Sequence, residues 1–394
     1  MDALTTPSNW QKVRLGDMTT SFTKQTGFDY SASIKPTLIK EQLPHYIPFI
    51  QNKDFLGHYI NYKTDYFIPN EVAIRFPQIL LNEKCLLISI VGSIGNVAVF
   101  NHSQDAFTGC AIAVLKFKEK KSLDFVMHFL MSASGQKSLL NIVKASSHKS
   151  IILADLRDLL IPLPPLNEQI AIANVLSGLD RYLYSLDALI LKKESVKKAL
   201  SFELLSQRKR LKGFNQNWQK VRLGDICEIV KGQQINKISL NNTDKYPVIN
   251  GGIDFLGYTN KFNVSKNTIA ISEGGTCGYV RFMTSNFWSG GHNYSLQKIS
   301  NKVNNLCLYH ILKSYEKDIM KLGVGSGLKN IQLKALKDFE IFLPPLNEQI
   351  AIANILSDLD SEIISLKNKK RQFENIKKAL NHDLMSAKIR VLKK

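Results

Sequence analysis

The sequence predicts an α+β protein built by internal duplication, with two strand-rich modules each followed by a long helix of coiled-coil character. Three observations carry this reading. Asn9-Trp10-Gln11-Lys12-Val13-Arg14-Leu15-Gly16-Asp17 recurs without change from Asn217 to Asp225. The segment Leu163 to Asp180 recurs from Leu343 to Asp360, and only Val175/Ile355 and Gly178/Asp358 differ. Apolar residues then follow at Ile172, Leu176, Leu179, Leu183, Leu186 and Ile190, spaced 4-3-4-3-4, and in the same phase at Ile352, Leu356, Leu359, Ile363 and Leu366. That spacing is a heptad seam, longer than an ordinary globular helix needs.

The first repeated pair lies 208 residues apart and the second 180, so the stretch between them is 28 residues longer in the first copy. The intervening sequences differ, and the chain reads variable–fixed–variable–fixed. A period near 200 residues marks a duplicated domain rather than a solenoid. Near-identical parts meet identical partners or each other, whereas parts that differ meet different things.

The elements follow in order. Short apolar or alternating runs such as Tyr46–Ile50, Cys85–Val91, Ala111–Leu115 and Thr268–Ile271, separated by Gly- and Asn-rich turns, predict strands. A helix is expected near Leu123–Ser132 in the first module and Leu306–Lys321 in the second. Leu-Pro-Pro-Leu then stops the chain, because Pro165 lacks a donor and biases Pro164 away from helix. Asn167 is expected as an N-cap, with Glu168 at the positive end of the helix dipole. Each helix could reach roughly 60 Å at 1.5 Å per residue. Lys370 and Lys377 fall in register and weaken the seam distally, and Val196, Leu200 and Leu204 suggest a phase shift in the first helix.

Two kinds of loop stand out. Gly92-Ser93-Ile94-Gly95-Asn96 and Gly274-Gly275-Thr276-Cys277-Gly278 offer backbone amides and small side chains, suited to close approach to a phosphate or a base edge. Trp288 to Tyr294 brings an aromatic, an amide and an imidazole together, with His292, Asn293 and Tyr294 as candidates for base contact.

Composition narrows the class. Among 394 residues, 52 Lys and Arg against 33 Asp and Glu give a formal charge of +19, which favours a polyanionic partner. Leu191–Lys212 carries a net +6 and Ser361–Lys394 a net +7, so most of the excess lies on the distal halves of the two helices. The five scattered cysteines form no CxxC pair and point to a reducing, cytoplasmic setting. No apolar run is long enough for a membrane span, and the first residues show no secretory signal. No phosphate-binding GxxxxGK[ST] occurs, and leucine flanks both Pro-Pro pairs where an adenine methyltransferase would carry an amide or carboxylate and an aromatic. The eight histidines show no metal-ligand spacing.

With these residues in view, the chain resembles the specificity (S) subunit of Type I restriction-modification systems over essentially its whole length. The doubled Asn-Trp-x5-Gly-Asp, the doubled Leu-Pro-Pro-Leu-x-Glu-Gln-x2-Ile-Ala-x2-Leu and the module–helix–module–helix order carry the resemblance. It implies two target recognition domains, residues 1–162 and 213–342, each reading half of a bipartite site in double-stranded DNA. It implies that the helical segments 163–212 and 343–394 pack antiparallel as a ruler between the halves. The family lacks catalysis and recruits two modification (methyltransferase) subunits and two restriction subunits. S-adenosylmethionine, ATP and Mg²⁺ are therefore expected on those partners, and no cofactor in this chain. A duplicated chain acts as a pseudo-two-fold dimer in one polypeptide and so fits the two-fold of duplex DNA, while divergent modules imply an asymmetric target. Gly92, Ser93, Asn96, Gly274, Gly275 and Thr276 match positions where the family's recognition domains approach DNA, and Lys149 and Lys329 are expected phosphate contacts. Two other readings are an S-like subunit with fused catalysis and a coiled-coil scaffold without sequence readout.

Overall fold

The computed structural model describes residues 9–144 and 149–391. The chain divides into two compact units, Met1–Ser185 with Lys370–Lys394, and Leu186–Lys369. Each long helix therefore gives its first part to one unit and its last part to the other.

In the first unit the main elements are β1 (Gln11–Arg14), β2 (Thr19–Lys24), β3 (Tyr46–Ile50), β4 (Phe67–Pro69), β5 (Leu80–Leu81), β6 (Cys85–Ser89), β7 (Val97–Phe100), β8 (Ala106–Thr108) and β9 (Ile112–Phe117). Helices α1 (Leu123–Met131) and α2 (Ala133–Asn141), strand β10 (Leu160–Leu163) and the long helix α3 (Leu166–Leu205) follow. One antiparallel sheet has the order β2-β9-β6-β7, and a second has the order β4-β3-β8-β5 with β3 and β8 parallel. Strand β6 is buried along its whole length, as its unbroken apolar run requires of a central strand. The repeated nonapeptide forms β1, which pairs antiparallel with β10 just ahead of the proline motif.

The second unit repeats the plan with β11 (Gln219–Arg222), β12 (Glu228–Lys231), β13 (Tyr246–Ile249), β14 (Gly257–Thr259), β15 (Thr268–Ser272), β16 (Val280–Met283), β17 (Trp288–Ser289) and β18 (Asn293–Gln297). Helices α4 (Asn305–Ser314) and α5 (Glu316–Lys321), strand β19 (Glu340–Leu343) and helix α6 (Leu346–Met385) complete it. Its main sheet, β12-β18-β15-β16, matches the first unit's strand for strand, and β13 and β17 repeat the parallel pair. The helix expected over Leu306–Lys321 is in fact two, because Tyr315 leaves helical geometry at ψ 7° and packs its ring edge-on against Phe339.

The long helices depart from expectation at two points. Helix α3 begins at Leu166, and the Pro165 carbonyl accepts from the amides of Glu168 (2.9 Å) and Gln169 (3.0 Å), so Asn167 lies in the first turn and is not the cap. The phase shift is also absent. The 4-3 spacing runs on through Lys193 and Lys197 to Leu200 and Leu204, while Val196 is exposed. Both lysines lie along the seam and send their ammonium groups to Glu362 (2.8 Å) and Asp360. In the first unit Lys377 plays the same part towards Asp180. These pairings run the two helix segments antiparallel within each unit.

Candidate nucleic-acid interface

The two small-residue loops occupy the same place in the two sheets. Gly92–Asn96 joins β6 to β7, and Gly274–Gly278 joins β15 to β16. In the first turn the Gly95 amide bonds the Ser89 carbonyl at 3.0 Å, and in the second the Gly278 amide bonds Ser272 at 2.8 Å. Gly92 (φ +79) and Gly275 (φ +69) hold the left-handed conformation that these turns need. Gly92, Ser93, Asn96 and Gly275 are exposed, and Thr276 is half-buried. Gly274 is buried instead, so close to Asn330 that a Cβ would meet its Oδ1 at 2.2 Å.

The aromatic–amide–imidazole loop divides. His292 keeps about half its side chain exposed, whereas Asn293 and Tyr294 are buried. They belong to β18, a central strand whose first four residues are all enclosed. Asn293 Nδ2 donates to Ser289 Oγ at 3.0 Å, and the Tyr294 hydroxyl lies 3.0 Å from the Ile331 carbonyl oxygen. The expectation that these two side chains read bases is corrected, because both serve the unit's own frame. Burial and the neighbouring Glu273 push the Tyr294 hydroxyl up to about 12.

Sequence reasoning missed Glu273, which faces His292, and its ion-pair partner Lys231. Glu273 Oε1 takes an ion pair from Lys231 Nζ at 2.6 Å, and Oε2 lies 3.8 Å from His292 Nδ1. It also missed a cleft of about 510 Å³ beside the first loop, lined by Tyr30, Phe49, Gln51, Asn52, Lys53 and Tyr66. Asn52 Nδ2 donates to the Val91 carbonyl at 2.7 Å and ties the cleft to Gly92. In the second unit Asn250 and Gln234 crowd the matching strand ends, where a Cβ on Gly290 or Gly291 would meet them at 2.6 and 2.4 Å. Composition alone had no means of pairing residues so far apart in the chain. Lys149 and Lys329 are both exposed, each ahead of its proline motif, and residues 145–148 lie outside the described set.

The fixed segments are organised around two buried carboxylates. Glu348 receives Arg210 Nε at 2.8 Å, Arg210 Nη2 at 2.7 Å and Trp218 Nε1 at 3.1 Å. In the first unit Glu168 receives Nε and Nη2 of Arg390, the latter at 2.7 Å. Of the seam residues, Ile172 and Leu176 join the core of the first unit, and Ile352 and Leu356 that of the second. Leu186 and Ile363 are buried farther along, and Leu179, Leu183, Leu359 and Leu366 are half-buried. Among the described residues no helix is long and apolar enough to cross a membrane, and no three His, Cys, Asp or Glu side chains group to hold a metal.

Two modules of one plan, differing in their loops and fastened to matching helices, define a duplicated two-module protein. Residues 7–193 and 215–375 match the Type I restriction modification DNA specificity domain, and the chain belongs to that family. Its members are the non-catalytic DNA-recognition subunits of their systems. The chain is 30% identical, over 76% of each chain, to a protein of Methanocaldococcus jannaschii named as the MjaX specificity subunit. It is 25% identical to the MjaVIII specificity subunit of the same organism, over 99% of this chain and 95% of the other. It is 38% identical to a type I specificity subunit of Mycoplasma genitalium over 39% of this chain, a match that spans 40% of that relative's length. The fold is that of the solved S subunit from M. genitalium, with a TM-score of 0.72, 21% identity and coverage of 97% and 98% of the two chains.

Proposed function

We propose that this chain reads an asymmetric, bipartite sequence in double-stranded DNA, one half per unit, and holds two modification and two restriction subunits of a Type I complex in the cytoplasm. The carrying observation is the contrast between what is repeated and what is not. The helices and their buried Glu–Arg pairs are alike in both copies and suit equivalent docking sites, while the loops at equivalent sheet edges differ and suit unequal half-sites. In this reading the chain carries no cofactor, and S-adenosylmethionine, ATP and Mg²⁺ act on the partners. The exposed Gly92, Ser93 and Asn96 in one unit and the exposed Gly275 and His292 with the half-buried Thr276 in the other approach base edges. Lys149 and Lys329 contact phosphate, a role supported by their exposure beside those loops.

Methylome sequencing of the host with and without the gene tests this. A bipartite adenine-methylation motif that vanishes with the gene supports the reading, and an unchanged methylome overturns it.

A further inference from the structure

Glu273 has a structural equivalent in the first unit, Ile90. The Glu273 amide bonds the His292 carbonyl at 3.0 Å, and its carbonyl accepts from Ile331 at 2.9 Å. In the first unit the Ile90 amide bonds the Ala111 carbonyl at 2.9 Å, and the Ile90 carbonyl accepts from Ile151 at 2.9 Å. The sheet registers extend the match, since Tyr294 pairs with Lys231 where Ala113 pairs with Lys24. One fold thus carries Ile90, Ala111 and Ala113 in one copy and Glu273, His292 and Tyr294 in the other. Ile90 is fully buried, so this place in the sheet can be filled by an apolar side chain, and the Tyr294 hydroxyl already has an acceptor in the Ile331 carbonyl at 3.0 Å.

A buried carboxylate is costly unless it is paired and hydrogen-bonded. Glu273 is only 8% exposed, and its Oε2 has no hydrogen-bond partner. On its inner side it faces the buried Tyr294 hydroxyl, 3.2 Å from Oε1. On its outer side it faces Lys231 and His292, each about half exposed at the rim of the loop that carries Gly275 and Thr276. The carboxylate is too deep to touch DNA, but it sits where it can fix both side chains.

We infer that Glu273 is a positioning residue that presents Lys231 and His292 together to the major-groove edge of one purine in the half-site read by the second unit. This rests on the DNA-reading role proposed above. The Lys231 ammonium donates to N7, which every purine offers, and the His292 imidazole meets the 6-substituent. An imidazolium donates to the O6 of guanine, whereas a neutral ring with its Nδ1 proton towards Glu273 accepts from the N6 amino group of adenine. The first unit has no such set, so its half-site is read by other means.

The test uses the intact system in its host, with Glu273→Gln, Lys231→Met and His292→Ala introduced separately and the genomic methylome sequenced. The wild-type and deletion strains report first whether the chain directs a bipartite motif at all, which judges the DNA-reading role by itself. Given that motif, the expected result is that all three variants relax the same base pair of one half-site. Methylation at sites altered there rises about tenfold relative to the intact motif, and the other half stays unchanged. The identity of the purine in that pair separates the guanine form from the adenine form. Uniformly weaker methylation with an unaltered motif marks phosphate contact and overturns the inference, as does relaxation at different positions. If Glu273→Gln abolishes all methylation through misfolding, the two exposed positions decide by the same criterion.

Discussion

Arg210 and Glu348 form a two-pronged ion pair, Nε to Oε1 at 2.8 Å and Nη2 to Oε2 at 2.7 Å, with the carboxylate 1% exposed. The pair joins the segment that follows α3 to the first turn of α6, and Trp218 of the repeated nonapeptide completes it. Glu348→Ala leaves the guanidinium and the indole N–H without their acceptor, so it should destabilise the second unit by about 3–5 kcal/mol. Urea unfolding followed by amide exchange in residues 186–369 measures this. Arg210→Lys keeps the charge but loses the fork, and should recover only part of the stability.

The buried histidines make stability depend on pH. Burial pushes His128 down to about 3 and His310 down to about 4, both well below the ordinary 6.5. The unfolded chain therefore takes up protons that the folded chain refuses. Stability is fully present above pH 6.5 and is lost as the pH falls towards the depressed values. At pH 5 each histidine should cost about 2 kcal/mol relative to pH 7. His310→Gln should flatten the pH dependence of the second unit, and denaturant titrations at the two pH values check it.

Gly92 separates folding from recognition. A Cβ there would meet only Asn52 Nδ2, at 3.6 Å, so Gly92→Ala pays for its left-handed φ of +79 and little else, about 1 kcal/mol. If DNA approaches this turn closely, affinity for the methylated motif should fall well beyond that figure in a filter-binding or anisotropy assay of the assembled complex. An affinity loss no larger than the stability loss removes the loop from the interface.

The excess charge on the helices gives a salt signature. Lys192, Lys198, Arg371 and Lys378 are all exposed. If they face the DNA between the half-sites, each neutralised residue should lower the slope of log K against log salt by about 0.9. Glutamine at all four positions with an unchanged slope would assign the charge to docking of protein partners instead.

What could be read from the chain follows from the range of the interactions. The duplication, the helices and their seams are written in local patterns, so Leu-Pro-Pro-Leu and the 4-3 spacing were enough to find them. The continuity of the seam was not legible, because Lys193 and Lys197 read as polar until Glu362 and Asp360 stand opposite them. The loop composition located both turns but assigned Asn293 and Tyr294 to the surface. Only the pairing of β18 with β12 and β15 reveals that they sit in the middle of a sheet. Glu273 was invisible for the same reason, since its ion-pair partners Lys231 and His292 come from the end of β12 and from just ahead of β18.

The split of each long helix between two units has a consequence for biosynthesis. The second unit is one unbroken stretch, Leu186–Lys369, whereas the first needs Lys370–Lys394, which places Leu384 and Met385 in its core. As the polypeptide leaves the ribosome, the module translated second is the first to have all its parts. The module translated first must wait, with the cavity for those residues open, until the far end of α6 arrives to close it.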